Sequence, residues 1–269
     1  MAAENLQSRF VTELVQPRLE QIVEFCEEAP IERVFLEDVA RRGLGRFVGL
    51  TRNGRLTGLC HLGANVVPAG EDCGRFARRI DRSHARMIIG EEAAVGELWA
   101  EASRRLPEPR EDRPRQPVFV LDDPPEAGGS GLRAATPADL ERLLPACALA
   151  HEEELGVDPL ARDAEGFRWR TRSQIDDRRS WLWLENDVIL FKAEASAWTP
   201  SAVQLQQVWV DPEARRHGHA TRALRDLCRL LLERTPAVCL FVRPENEAAL
   251  ALYRRIGMRH VLDYRSLVF

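Results

Sequence analysis

The chain has 269 residues, 30 % charged and 45 % hydrophobic, with a formal net charge of −4. That length holds two modest domains with a core in each, and a slightly acidic balance speaks against general nucleic-acid binding, which needs an excess of Lys and Arg. No run approaches the ~18 apolar residues of a membrane helix, and the opening MAAENLQSRF carries no apolar signal segment, so the expectation is a cytoplasmic protein away from membranes.

The six cysteines, Cys26, Cys60, Cys73, Cys147, Cys228 and Cys239, are scattered, with no Cys-x-x-Cys pair and no histidine at a zinc spacing. Reduced, buried thiols and no metal are expected. Basic charge is almost wholly arginine, since Lys192 is the sole lysine.

In chain order, Pro17–Glu28 predicts a helix with proline at its start, and Ile31–Arg42 a second. Phe47 to Val67 reads as a hairpin about Asn53-Gly54, a strong signal for a tight primed turn. A strand at Met87–Gly90, a helix over Glu91–Arg105 and a strand at Val118–Leu121 follow. DDPPEAGGSG, ending at Gly131, has the composition of a linker.

Leu132–Thr136 then predicts a strand, and Thr136-Pro137 opens a helix to Leu155, with threonine at the N-cap and proline at N1. A second helix is expected over Gly166–Ile175. A hairpin joins Trp181–Glu185 to Val188–Trp198 across Asn186-Asp187. The strand containing Val208, Trp209 and Val210 stops at Asp211-Pro212, and a helix pattern begins near Thr221.

Between strand and helix lies Arg215-Arg216-His217-Gly218-His219-Ala220. Gly218 and Ala220 carry almost no side chain, so the main-chain N–H groups there can converge on an anion at the positive end of a helix dipole. A strand at Val238–Val242 follows, then a short helix from Asn246 through Tyr253 that closes at Gly257-Met258. Arg259–Phe269 is strand-like.

The pattern Arg-x-x-Gly-x-Ala after a strand, followed by a strand and then Asn-x-x-Ala-x-x-Leu-Tyr-x-x-x-Gly-Met, resembles the GNAT superfamily of acyl-coenzyme A dependent N-acyltransferases over roughly residues 131–269. The resemblance implies an α/β (α+β) fold with a mixed, mostly antiparallel sheet flanked by helices. It further implies coenzyme A diphosphate on Arg215, Arg216, His217, Gly218, His219, Ala220 and Thr221, and a pantetheine arm along the main chain of Val208, Trp209 and Val210. Asn246 would contact the coenzyme, and Tyr253 would protonate the departing thiolate.

Residues 1–125 repeat the same element order. They are expected to be a degenerate GNAT-like copy, joined through 126–131 to a transferase domain at 132–269. Its turn Gly90-Glu91-Glu92-Ala-Ala-Val-Gly96 puts carboxylates where arginines should be, so no coenzyme A is expected there.

Acyl transfer to an amine requires deprotonation of a group with ordinary pKa ~10.4, which costs ~4.6 kcal/mol at neutral pH. Where some members of the family carry a strand glutamate as base, this chain has Gln204, Gln206 and Gln207, and an amide takes no proton. Glu194 is the base expected first, with His151 and Glu152-Glu153-Glu154 as other candidates. The acidic run can instead attract a cationic amine.

The resulting expectation is transfer of an acetyl group from acetyl-coenzyme A to a primary amine on a small molecule or peptide, by direct attack and without a metal, in a monomer or homodimer. Two alternatives stay open. One is a catalytically weak coenzyme-binding module whose N-terminal domain binds a partner; the other is a tandem aminoacyl or peptidyl transferase using both halves.

Overall fold

Both two-residue turns named above take positive φ at each position, 54° and 79° at Asn53-Gly54 and 49° and 63° at Asn186-Asp187. This geometry lets a short turn follow the twist of its strands. The computed structural model describes residues 12–269, so the expectation for the first ten residues lies outside the described ones. Two compact units divide the chain, one running to Gln116 and including Asp263–Phe269, the other Pro117–Leu262.

Unit 1 contains β1 (Thr12–Val15), α1 (Leu19–Glu27), α2 (Val34–Arg41), β2 (Phe47–Arg52), β3 (Arg55–Leu62), β4 (Asn65–Gly70), a 3₁₀ turn at Cys73–Arg79, β5 (Met87–Glu91) and α3 (Glu92–Ala102). β6 (Glu111–Leu121) starts in unit 1 and ends in unit 2. Unit 2 continues with β7 (Leu132–Ala134), α4 (Leu140–Leu155), α5 (Pro159–Asp176), β8 (Ser180–Glu185), β9 (Val188–Trp198), β10 (Val203–Val210), α6 (His219–Leu232), β11 (Val238–Phe241) and α7 (Glu247–Arg255). β12 (Arg259–Val268) starts in unit 2 and ends in unit 1.

The two units repeat one topology. In unit 1, β1 to β4 form an antiparallel meander, β4 runs parallel to β5, and β5 is antiparallel to residues 264–268 of β12. In unit 2, β7 to β10 form the meander, β10 runs parallel to β11, and β11 is antiparallel to residues 118–121 of β6. Each sheet is covered on both faces. In unit 1, Ile22, Phe25 and Leu36 pack on one side and Phe76, Val95 and Leu98 on the other. In unit 2, Leu143, Cys147 and Phe167 pack on one side and Leu224, Leu227 and Leu231 on the other.

Matching the units element by element shifts the alignment expected from sequence. The counterpart of the turn after β10 is the turn after β4, at Glu71-Asp72, and not Gly90–Gly96. The 3₁₀ turn Cys73–Arg79 stands where unit 2 has α6, and α3 stands where it has α7. β5 passes straight into α3 with no loop between them.

Other differences are local. The run expected as one strand to Val67 breaks at Gly63-Ala64 into β3 and β4. α5 starts at Pro159, earlier than Gly166, because Asp158 caps it by accepting from Leu160 N–H, and the helix kinks at Asp163. The units divide at 116/117 and 262/263 instead of within the glycine-rich stretch.

That stretch is pinned to α6. The Asp226 carboxylate accepts N–H bonds from Gly128 and Ser130, both at 2.7 Å, and the Ser130 hydroxyl at 2.6 Å, while Arg222 donates to the carbonyls of Gly128 and Gly129. Burial alone would raise the Asp226 pKa, but these donors outweigh it and hold the carboxyl below its ordinary value.

The strand completing unit 1 is the last of the chain, and it buries Leu267 and Val268. Burying such side chains is worth ~1.5–3 kcal/mol each, a large part of the ~5–15 kcal/mol that stabilises a domain. Deleting residues 263–269 is expected to make unit 1 sensitive to limited proteolysis while α6 and its sheet stay protected. Unchanged protection of unit 1 would contradict this.

Candidate functional site

β10 and β11 pair only through Val203 with Val238 and Gln204 with Cys239. β10 nevertheless runs on to Val210, still paired with β9 on its other side. Beyond Gln204 the two parallel strands therefore diverge, and the β10 edge over 205–210 faces no strand. Within it a bulge lies between Gln206 and Trp209, with Gln207 in the left-handed region at φ 52°. Such a conformation costs ~1–3 kcal/mol in a non-glycine residue and persists where its surroundings enforce it. Here the Gln207 side chain donates to Glu154 on the last turn of α4.

The chain then turns sharply. Asp211 caps a 3₁₀ turn at Pro212–Ala214 by accepting from Glu213 N–H at 2.9 Å. Arg216 and Gly218 follow in the left-handed region, at φ 67° and 79°, and Gly218 is the N-cap of α6. The helix so begins at His219, two residues before Thr221. Its first bond runs from Arg222 N–H to the Gly218 carbonyl at 3.1 Å, and the N–H groups of residues 216–221 have no acceptor among the described residues. A Cβ placed on Gly218 would meet nothing within 4 Å, so there is free space beside the loop at that residue. Consecutive unpartnered donors at a helix start form an anion site.

The side chains around this loop differ in their commitments. Arg215 turns back toward α4, where its Nη2 alone reaches both Glu153 oxygens, at 2.7 and 2.8 Å, and its Nε donates to the Val210 carbonyl at 3.1 Å. Arg216 is exposed and has no side-chain partner among the described residues. The His217 ring lies 6.1 Å from that of His219, which stands edge-on to Trp183 at 4.9 Å with a buried, unpartnered Nδ1. Ala220 and Thr221 are half-buried in the first turn. Trp209 points into the α4–α5 side of the core; Val208 and Val210 pack against the α6 side.

Tyr253 and Asn246 sit on α7. Tyr253 is buried beside Phe119, and its hydroxyl has no hydrogen-bond partner among the described residues. Burial, reinforced by the Glu154 carboxylate and Cys228, raises the phenol pKa above its ordinary value, so it is protonated at neutral pH. Asn246 spends its side-chain oxygen on capping α7, accepting from Ala249 N–H at 3.1 Å. That leaves only its amide NH₂ and main chain for the coenzyme contact expected of it.

Glu194, the base expected first, lies in an ion pair with Lys192. Its Oε1 accepts from Lys192 Nζ at 2.6 Å and from Cys147 Sγ at 3.4 Å, and Lys192 is 0 % exposed. Burial would lower the lysine pKa, but Glu194 and Cys147 more than offset it and hold the ammonium charged. Protonating Glu194 would leave that buried charge uncompensated. The same burial drives the Cys147 thiol up to about 12, which makes it an inert donor.

The acidic run at the end of α4, read from sequence as a candidate base or amine attractant, is largely engaged. Glu153 holds Arg215 and accepts a 3.4 Å contact from Trp209 Nε1, and its main-chain carbonyl accepts from Arg243 just beyond β11 at 3.2 Å. Glu154 holds Gln207. His151 packs edge-on to Phe167, and burial followed by Arg170 lowers its pKa.

A separate cleft of about 650 Å³ in unit 1, lined by both signs of charge including Arg75, Arg78, Glu97 and Glu101, contains none of these residues. Among the described residues no group of three or more His, Cys, Asp or Glu is placed to hold a metal ion, and no helix is long and apolar enough to cross a membrane.

Comparison with known proteins places this geometry. Residues 143–258 match the acetyltransferase (GNAT) family, and residues 45–143 match a domain of unknown function, DUF4081. No curated protein matches the chain in sequence. Among solved structures, a GNAT-family acetyltransferase from Colwellia psychrerythraea covers 97 % of this chain and 100 % of its own at 10 % identity and a TM-score of 0.59. A GCN5-related N-acetyltransferase from Sphaerobacter thermophilus covers 95 % of this chain and 94 % of its own at 19 % identity and 0.57. A tandem GNAT protein from the clavulanic acid biosynthesis pathway covers 96 % and 98 % at 11 % identity and 0.55. What is shared at such identities is the fold, which here spans both units. Family and fold together support acyl transfer in general.

The Glu194 assignment yields a direct check. Glu194→Gln is expected to destabilise the protein by ~3–5 kcal/mol in urea unfolding, because it strands the buried Lys192 charge. Unchanged stability with abolished turnover would restore Glu194 as a catalytic base.

Proposed function

We propose that this chain, whose residues 143–258 belong to the acetyltransferase (GNAT) family, transfers an acetyl group from acetyl-coenzyme A to a primary amine. The observation that carries the proposal is the run of unpartnered amides at 216–221 beside the partnerless edge of β10. When bound, acetyl-coenzyme A supplies the acyl group and a thiolate able to leave. A diphosphate fits the loop because its oxygens satisfy amides that have no acceptor among the described residues, aided by the helix dipole and Arg216. The main chain of 205–210 suits an amide-bearing arm, which can add to the sheet edge as a strand would.

In this reading the bulge at Gln207–Val208 aims a main-chain N–H at the acyl oxygen, where a preorganised donor outside water is most effective. Tyr253 donates its O–H to the sulfur as negative charge develops there. Its raised pKa keeps the hydroxyl protonated before the reaction, and therefore able to donate. With Glu194 committed to Lys192, the proton acceptor is reassigned to Glu154, the carboxylate that touches the bulge residue and acts electrostatically on Tyr253. The acceptor class is a small-molecule or peptide amine.

Unit 1 repeats the topology and, by this reading, binds no coenzyme. Pro68 in β4 has no N–H to offer, a Cβ at Gly90 would lie 3.0 Å from the Pro68 carbonyl so that β5 crowds β4, and Glu71-Asp72 occupy the turn.

The test is thiol release from acetyl-coenzyme A across a panel of primary amines. Tyr253→Phe and Glu154→Gln are each expected to lower kcat by about 10²- to 10⁴-fold with coenzyme binding retained, and Gly218→Asp to abolish coenzyme binding. Tight coenzyme binding without turnover on any amine would favour the binding-module reading, which the absence of a strand glutamate supports.

A further inference from the structure

Two arginines flank the amide loop, and the family pattern gives both to the diphosphate. The geometry divides them. Arg215 donates through Nη2 to both Glu153 carboxylate oxygens and through Nε to the Val210 carbonyl, whereas Arg216 is exposed with no side-chain partner among the described residues. Of the guanidinium nitrogens of Arg215, Nε and Nη2 are already committed to Val210 and Glu153, and swinging the group toward the 216–221 amides would break those contacts. The Glu153 carboxylate, some 46 % exposed, would then stand unpaired beside the incoming anion.

Glu153 is also the residue of α4 that touches both sides of the diverging strands. It accepts from Trp209 and Arg215 on the β10 side, and its carbonyl accepts from Arg243 just past β11. The next residue, Glu154, holds the bulge at Gln207.

We infer that Arg216 is the side-chain cation of the diphosphate site, while Arg215 is a strut, held by Glu153, that fixes the end of β10 and the start of the loop against α4. Glu153 is a positioning residue acting through Arg215. This rests on the coenzyme reading above and narrows it: one of the two arginines binds, the other braces. Arg215 is tied at two separate nitrogens, Nη2 to the Glu153 carboxylate and Nε to the Val210 carbonyl, so the guanidinium plane is held between α4 and the end of β10.

The test is calorimetry of coenzyme A with the full chain at low and high salt. Arg216→Ala is expected to weaken binding about 10- to 100-fold, as loss of a charged hydrogen-bonding partner does, and to flatten its salt dependence. Arg215→Ala is expected to shift affinity less than about threefold while lowering the thermal midpoint. The decisive variant is the swapped pair, Glu153→Arg with Arg215→Glu. As a strut the swap restores the thermal midpoint lost in the single variants and binds coenzyme A near wild-type level. As a phosphate ligand, position 215 would then present a carboxylate to the diphosphate and binding would collapse.

Equal losses in Arg215→Ala and Arg216→Ala, or collapse in the swap, overturn the division while leaving the coenzyme site standing. Absence of coenzyme A binding by the wild-type chain overturns both this inference and the reading it rests on.

Discussion

The site depends on two parallel strands that stop pairing after two residues. A parallel pair satisfies its main-chain groups only while the strands stay adjacent. By separating beyond Gln204 and Cys239, β10 and β11 leave the main chain of 205–210 with no paired strand on that side among the described residues, the Val210 carbonyl accepting from Arg215 instead. The loop after β10 continues that edge into the amides of 216–221. Unpaired polar main chain is a cost to folding unless water or a ligand takes the place of the missing strand. The surroundings bear that cost through bonds elsewhere: β9 along the other edge of β10, Glu153 and Glu154 from α4, and the glycine-rich segment locked onto Asp226 behind α6.

Unit 1 carries the same topology with different residues at the corresponding turn. Its parallel pair also stops after two residues, Asn65 with Met87 and Val66 with Ile88. The next position of interest is Pro68, which has no N–H, and Gly90 lets β5 close in on its carbonyl. A short 3₁₀ turn replaces the long helix, and Asp72 pairs with Arg52 at 3.5 Å. The repeat thus keeps the frame but differs in the turn and in the element that follows it.

Much of this was legible in the residues. Asn53-Gly54 and Asn186-Asp187 announce their hairpins, Thr136-Pro137 announces the entry to α4, and Gly257 ends α7, because each carries a local backbone requirement that few residues meet. The amide loop was legible for the same reason: Gly218 is a left-handed N-cap. What was not legible depends on partners distant in sequence. The Lys192–Glu194 pair follows strand alternation, but its burial and its Cys147 contact come from α4, some 45 residues earlier. The Glu153–Arg215 pair spans 62 residues. The exchange of β6 and β12 between the units has no local signature, and the seven-residue 3₁₀ turn hid the true alignment of the repeat. The single lysine was one available signal: in a chain that otherwise uses arginine, an isolated lysine between apolar strand residues marks a buried cation in need of a counter-charge.

The central claim is that the main-chain amides of 216–221 bind a diphosphate, and the most direct measurement is a ¹⁵N amide titration of the assigned protein with coenzyme A. The account predicts large downfield proton shifts confined to residues 216–221 and the edge of β10, with unit 1 unmoved. Shifts absent from that loop, or centred on the turn at Glu71-Asp72, would contradict it.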